Sequence, residues 1–150
     1  MKLIKLFFVL WCLVNVSACL DSEKDTKAGA EGNKTIVKVY KTPTCGCCGK
    51  WVKYLRKHGY QVSVQDTHNL SAIKKKYKIP QSLSSCHTGV IGDYVVEGHV
   101  PVESIERLLK EKPDIAGIAV PDMPIGSPGM EGRNAKPYTV YQFRDNQRYV

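Results

Sequence analysis

The chain has 150 residues, of which 43% are hydrophobic and 24% charged, enough for one domain with a core of its own. The formal charge is +8, and loss of Lys2 and Lys5 with an N-terminal signal would lower it by two. The basic residues are scattered, with residues 74–76 as the only run, which argues against nucleic acid as a partner.

The N-terminus has the pattern of a bacterial export signal. Lys2 and Lys5 precede an almost unbroken apolar run over residues 6–16. This run is shorter than the ~20 residues that cross a bilayer as a helix, so residues 1–18 are interpreted as a signal peptide. The run ends in small residues followed by Cys19, which resembles a lipobox and implies lipidation of Cys19. An ordinary signal peptide that leaves Cys19 as a free thiol is the alternative.

The segment after Cys19 predicts where the protein is held. Leu20 stands where an inner-membrane retention signal has an aspartate, so the lipid anchor is expected in the outer membrane of a Gram-negative bacterium, facing the periplasm. Residues 19–34 are rich in charged and small residues and nearly devoid of core formers, which predicts a flexible tether. Residues 35–150 are then the folded domain.

The folded part alternates strand and helix patterns. Strands are predicted over residues 35–40, 60–64, 88–91, 94–97 and 138–143, and helices over residues 46–58, 70–77 and 101–110. Residues 113–131, rich in Pro and Gly, are expected to form a long loop. This order predicts an α/β domain of the thioredoxin or glutaredoxin type, with a mixed central sheet and flanking helices. Its first two strands should be parallel, and its third and fourth should form an antiparallel hairpin.

Four of the six cysteines remain once Cys12 leaves with the signal and Cys19 is lipidated. Cys45 and Cys48 form a CxxC motif between the first strand and the first helix, the position that it has in thioredoxins. The N-terminus of a helix favours thiolates, and residues three apart share one face, so these two can meet each other or one ion. They are therefore the candidate redox pair.

The other cysteines favour a metal over a simple dithiol. Cys47 adds a third thiol, expected to point away from the Cys45–Cys48 pair, and three thiolates suit a soft cation such as Cu(I) or Zn(II). Cys86 and His87 precede the third strand, where thioredoxins carry a cis-proline, so the fold should bring them to the cluster. The candidate metal ligands are thus Cys45, Cys47, Cys48, Cys86 and His87.

Three further side chains could take part in metal binding. His99 lies just before a helix, where a surface or capping role is the simpler interpretation. Met123 and Met130 lie in the Pro/Gly-rich loop, and although thioethers bind Cu(I), a loop methionine more often covers the core.

Four stretches of the chain resemble one family. Residues 40–51 (YKTPTCGCCGKW), 85–88 (SCHT), 96–101 (VEGHVP) and 119–131 (AVPDMPIGSPGME) are similar to the CopG-like periplasmic copper-resistance proteins, whose domain was long catalogued as one of unknown function. The resemblance covers about residues 36–143. It implies a thioredoxin-like fold and copper held by the cysteine cluster, with a role in copper redox cycling proposed for the family.

These observations predict a periplasmic protein of copper resistance that binds Cu(I) through its cysteine cluster and cycles it with Cu(II). Its partners would be the metal ion, periplasmic copper carriers or efflux components, and the membrane through its lipid anchor. Copper oxidoreductase activity is a further hypothesis. Two alternatives are a thiol-disulfide oxidoreductase of the thioredoxin type and a structural zinc site made of Cys45, Cys48, Cys86 and His87.

Overall fold

The computed structural model describes residues 35–145 and 147–149. The predicted signal peptide, the lipidation of Cys19 and the tether lie outside these residues. The strands are β1 (Ile36–Lys41), β2 (Gln61–Asp66), β3 (His87–Ile91), β4 (Tyr94–Gly98), β5 (Gly117–Val120), β6 (Tyr141–Arg144) and β7 (Gln147–Tyr149). The helices are α1 (Gly46–Lys57), α2 (Leu70–Lys76) and α3 (Val102–Glu111), with a short 3₁₀ helix at Gln81–Leu83.

The seven strands form one mixed sheet in the order β2-β1-β3-β4-β5-β6-β7. As predicted, β1 and β2 are parallel and joined through α1, while β3 and β4 form an antiparallel hairpin. A second parallel pair, β4 with β5, is joined through α3. The mixed sheet with flanking helices confirms the predicted α/β class.

The end of the chain corrects the predicted boundaries. The expected loop over residues 113–131 contains β5, all four of whose residues are buried. A strand buried on both faces has no alternation, and this one is short and set among Pro and Gly, so its pattern is weak. The expected strand over residues 138–143 begins only at Tyr141, and β7 was not predicted. The side chains of β7 are exposed, so only its pairing with β6 defines it.

Apolar side chains pack on both faces of the sheet. On one face, α1 contributes Trp51 and Leu55 and α3 contributes Ile105, packed against residues such as Val39 and Val96. A smaller cluster combines Ile79 and Leu83 with Val95, Ala119 and Phe143. Val95 and Val96 are adjacent in β4 and belong to different clusters, as expected for a strand covered on both sides.

Gly117 shows how closely β4 and β5 approach. A Cβ at this position would overlap the carbonyl oxygen of Val95 on the paired strand, so only glycine fits. Within the described part of the chain, no helix has the length and apolar character needed to cross a membrane.

Candidate metal centre

The first element of the site is the N-terminus of α1. β1 ends at Lys41, and after a short turn Cys45 caps the helix, its Sγ accepting a hydrogen bond from the Cys48 N–H at 3.3 Å. Cys45 and Cys48 are joined by a disulfide. The cysteines thus lie at the helix end where unpaired N–H groups and the helix dipole stabilise negative charge on sulfur.

The side chain of Cys47 lies next to this pair. Its Sγ lies 3.5 Å from Cys45 Sγ and 4.0 Å from Cys86 Sγ, so the expectation that it points away was wrong. The two-residue spacing from Cys45 suggested opposite directions, but Cys45 is the N-cap and has extended, non-helical backbone angles. The helical spacing rule therefore does not apply between these two residues.

Strand pairing brings Cys86 to the cluster. β1 and β3 are antiparallel, and Lys41 at the end of β1 is paired with His87 at the start of β3. Cys86, one residue before His87, therefore reaches the turn that leads into α1. The Sγ atoms of Cys45, Cys47, Cys48 and Cys86 all lie within 4.8 Å of one another, as the cysteine pattern predicted.

Two histidines complete the site around Cys86. Its Sγ lies 3.2 Å from His87 Nδ1 and 3.2 Å from His99 Nε2. Both histidines are fully buried. The surface or capping role expected for His99 is therefore wrong, because the turn after β4 directs its ring into the protein beside Cys86.

The protein environment selects the tautomer of His99. Its Nδ1 lies 2.8 Å from the carbonyl oxygen of Pro128, and since that oxygen can only accept, Nδ1 carries the proton. Nε2 then has its lone pair directed at Cys86 Sγ. A backbone carbonyl behind a histidine is a common support for a metal-ligating ring.

His87 is held by ring contacts. Its ring centroid lies 4.5 Å from that of Trp51 and 4.8 Å from that of His99. Trp51 is itself fixed, because its Nε1–H donates to the Val100 carbonyl at 2.9 Å. Nε2 of His87 is buried and has no hydrogen-bond partner among the described residues.

Burial sets the protonation of these groups. It raises the pKa of Cys86 to about 12, and the neighbouring Cys47 adds to the rise. It lowers the pKa of His87 well below its usual range, with a further contribution from His99, and it also lowers the pKa of His99. Both rings are therefore neutral at neutral pH and can offer lone pairs, while Cys86 keeps its proton until a cation displaces it.

The two methionines differ in exposure. Met123 is 38% exposed and Met130 is half-buried, so Met123 does not cover the core. The loop that carries them nevertheless packs on the site. Its Gly129 is buried so closely against the backbone of α1 that a Cβ there would lie 2.9 Å from Trp51 N.

Glu97 is a buried residue of the site region that the sequence did not single out. It is fully buried in β4 and accepts hydrogen bonds from Ser85 N–H at 2.6 Å and Thr88 Oγ1 at 2.6 Å. Lys74 of α2 donates to the same carboxylate. Ser85 and Thr88 flank Cys86 and His87, so this carboxylate fixes the segment that carries both. A charged residue within the apolar run of β4 was the only signal in the sequence.

The donor set fits a soft or borderline metal ion. Once the Cys45–Cys48 disulfide is reduced, four sulfurs within 4.8 Å of one another suit Cu(I) or Zn(II), and two imidazoles beside Cys86 add nitrogen donors that Cu(II) and Zn(II) prefer. The candidate cysteines and histidines thus form two groups that share Cys86, while the two methionines belong to the overlying loop.

The chain is similar to known proteins over the part that contains these residues. Residues 83–130 match a family described as "Protein of unknown function, DUF411", a range that includes Cys86, His87 and His99. Two solved structures, named copper resistance protein CopG form 2 and form 1, each share 41% sequence identity with this chain and cover 78% of it. The chain covers 95% and 94% of their lengths, with TM-scores of 0.73 and 0.72.

The chain belongs to the CopG copper-resistance family. The identity and coverage together confirm the family predicted from the four sequence stretches, and the structural match confirms the predicted fold. The search of curated proteins gives no match.

The neutral histidines predict a pH-dependent stability. Unfolded histidine takes up a proton below about pH 6.5, whereas the folded state resists it. The metal-free protein should therefore be most stable above that pH and lose up to about 1.4 kcal/mol per pH unit for each such histidine as the pH falls. Denaturant titrations between pH 7.5 and 5.5 measure this loss.

A His87→Gln variant should reduce that loss, and His58→Gln, which changes an exposed histidine at the end of α1, is the matched control. A pH dependence equal in wild type and His87→Gln would contradict the assignment.

The contacts of the Glu97 carboxylate predict a strong energetic coupling between Glu97 and Lys74. Glu97→Ala removes a fully buried carboxylate and leaves the half-buried Lys74 ammonium, the Ser85 N–H and the Thr88 hydroxyl without this partner, so it should destabilise the protein by about 3–5 kcal/mol. Lys74→Met with Glu97→Gln should cost less than the sum of the two single changes. Urea denaturation measures Glu97→Ala, the two single changes and the double variant.

Asp66→Ala is the control for this cycle, because it breaks a pair with Lys41 in which Asp66 is half exposed. It should cost under about 1 kcal/mol. If the free-energy losses of the single changes at Lys74 and Glu97 add up to the loss in the double variant, the two residues do not act together in one network.

Proposed function

We propose that this chain is a copper-binding protein of copper resistance and that it binds Cu(I) through Cys45, Cys47, Cys48 and Cys86. The observation that carries the proposal is the convergence of four sulfurs within 4.8 Å at the N-terminus of α1 in a member of the CopG family. Thiolates are the preferred protein ligands of Cu(I), and the two histidines add donors that suit Cu(II). Copper is the cargo of this site.

We also propose that the site reduces Cu(II). The Cys45–Cys48 pair is joined by a disulfide at the start of α1, which is helical from Gly46. When the two thiols become a disulfide, they release two electrons and two protons. The electrons convert two Cu(II) ions to Cu(I), and the protons pass to solvent. This chemistry would make the protein a copper oxidoreductase.

The proposed location follows from the N-terminal sequence. The apolar run over residues 6–16 and the small residues before Cys19 support export and lipidation. The protein would then be anchored in the outer membrane and would handle copper in the periplasm. Periplasmic copper carriers or efflux components are the proposed partners, because they exchange Cu(I) through similar soft ligands.

One observation favours a second candidate. The Cys45–Cys48 disulfide caps a helix after the first strand, as in a thiol-disulfide oxidoreductase of the thioredoxin type. Two features oppose it. Cys47 Sγ lies 3.5 Å from Cys45 Sγ, where it competes for any mixed disulfide, and all described peptide bonds are trans, so the cis-proline that thioredoxins carry opposite this motif is missing from the described part.

The Cu(I) proposal predicts tight binding that depends on all four cysteines. Reduced protein, titrated anaerobically with Cu(I) against a chromophoric chelator, should compete for the metal. A variant with the four cysteines changed to serine should lose at least ~100-fold in affinity, because its donors are hard oxygens. His58→Ala should bind as wild type does.

Equal affinity of the wild type and the four-serine variant would refute the proposal. Unfolding of the wild type by a zinc chelator, followed by circular dichroism, would instead support a structural zinc site.

The redox proposal predicts that Cu(II) added to fully reduced protein loses its paramagnetic signal while two thiols per two Cu(II) disappear. Electron paramagnetic resonance and a free-thiol count taken in parallel measure both quantities. A Cys48→Ser variant should keep the Cu(II) signal much longer, because its disulfide partner is missing. A persistent signal in wild type with all four thiols intact would leave a passive copper binder.

A further inference from the structure

Oxidation of the CxxC motif does not consume every donor at this centre. With Cys45 and Cys48 joined, Cys86, His87 and His99 still offer one sulfur and two nitrogens that all lie within 4.8 Å of one another. None of these three atoms takes part in the disulfide. The described structure is therefore that of an oxidised centre with a second, intact donor set.

The two ring nitrogens of this donor set both lie beside Cys86 Sγ. His99 donates its Nδ1 proton to Pro128, which leaves the Nε2 lone pair 3.2 Å from Cys86 Sγ. His87 presents Nδ1 at the same distance from that sulfur, and its ring is held by Trp51. Both rings are excluded from solvent.

The sulfur–nitrogen distances are close to those around a tetrahedrally coordinated metal ion. Metal–sulfur and metal–nitrogen bonds of about 2.3 and 2.0 Å at a tetrahedral angle separate the two donors by about 3.5 Å. The two sulfur–nitrogen distances here are 3.2 Å each, so an outward movement of a few tenths of an ångström would accommodate the ion. The fourth position is left open, with the free thiol of Cys47 nearby.

We propose that the disulfide form of this protein binds a single borderline divalent cation through Cys86, His87 and His99, so that the oxidation state of Cys45 and Cys48 switches the centre from a sulfur site for Cu(I) to a mixed nitrogen and sulfur site. The switch rests on the proposed function for the reduced state, whereas the mixed site does not. Two imidazoles and one thiolate suit the class of Zn(II), Co(II) and Cu(II).

The proposal has a functional consequence. When Cys45 and Cys48 have given up their electrons, the Cu(I) that they produce keeps only the thiols of Cys47 and Cys86. The mixed site then offers a divalent cation a place at the same centre in the oxidised state. Cys86 is common to both donor sets, so it is the residue through which the metal would pass between them.

Cobalt(II) is a suitable probe of the oxidised form, because thiolate ligation and tetrahedral geometry each produce absorption bands. The Cys45–Cys48 disulfide form is verified by mass on a separate portion whose two free thiols are alkylated, and the protein that is not alkylated is titrated with Co(II). We expect one equivalent to bind with a thiolate-to-metal charge-transfer band and intense visible bands. His99→Ala and Cys86→Ser should each weaken binding by more than about 10-fold and remove the tetrahedral bands. Cys86→Ser should in addition abolish the charge-transfer band.

Three comparisons keep the test decisive. His58→Ala, which alters an exposed histidine, should bind Co(II) as wild type does. His99→Gln retains a polar side chain, so it serves if His99→Ala fails to fold by circular dichroism. Binding without the charge-transfer band, or with equal strength in the His99 variants, would overturn the proposal.

The outcomes also separate the two proposals. If reduced protein binds Cu(I) tightly and the disulfide form does not bind Co(II), only the mixed site and the switch fail. If the disulfide form binds Co(II) through these residues while Cu(I) binding is weak, the mixed site stands and the proposed Cu(I) function fails.

Discussion

The site depends on the antiparallel pairing of β1 with β3. This pairing places Lys41 opposite His87 and so brings Cys86 to the turn where β1 enters α1. Without it, Cys47 and Cys86 are two thiols 39 residues apart. A shift of one residue in this register would turn His87 to the opposite face of the sheet, away from Trp51. Because β3 is buried on both faces, that shift would also place each of its side chains against the packing of the wrong face, and burial therefore protects the geometry of the site.

Two sets of polar contacts further fix the residues that the strand pairing brings to the site. The Glu97 carboxylate ties Ser85 and Thr88 to β4, so the segment between them cannot drift from the helix end. The Pro128 carbonyl selects the tautomer of His99. The Glu97 and His99 side chains are fully buried, where an unpaired polar group is costly, so the arrangement is held in one conformation before any cation arrives. A preformed set of donors reduces the ordering cost of metal binding.

The sequence predicted most of the fold because the strands and helices around the site are strongly patterned. β1, α1 and the β3–β4 hairpin follow from alternation, helical spacing and turn residues, and the cysteine cluster follows from their order. β5 and β7 were not predicted, because β5 is buried on both faces and β7 is defined by its pairing alone. The burial of His99 and the role of Glu97 are consequences of tertiary packing. A histidine before a proline and a glutamate in a strand have the same appearance in sequence whether they face water or the core.

The protonation of Cys86 connects the two donor sets. Burial and the adjacent thiol hold its pKa near 12, so before metal binding the centre is close to neutral, with a protonated sulfur beside two uncharged imidazoles. A cation that binds there must displace this proton, and its own charge then compensates the buried thiolate. Burial that disfavours thiolate alone therefore favours the thiolate–metal pair, and proton release should accompany metal uptake in either oxidation state. In the two proposals both donor sets share this one sulfur, so a metal ion that passed between them would not leave Cys86 and would not return it to the protonated state.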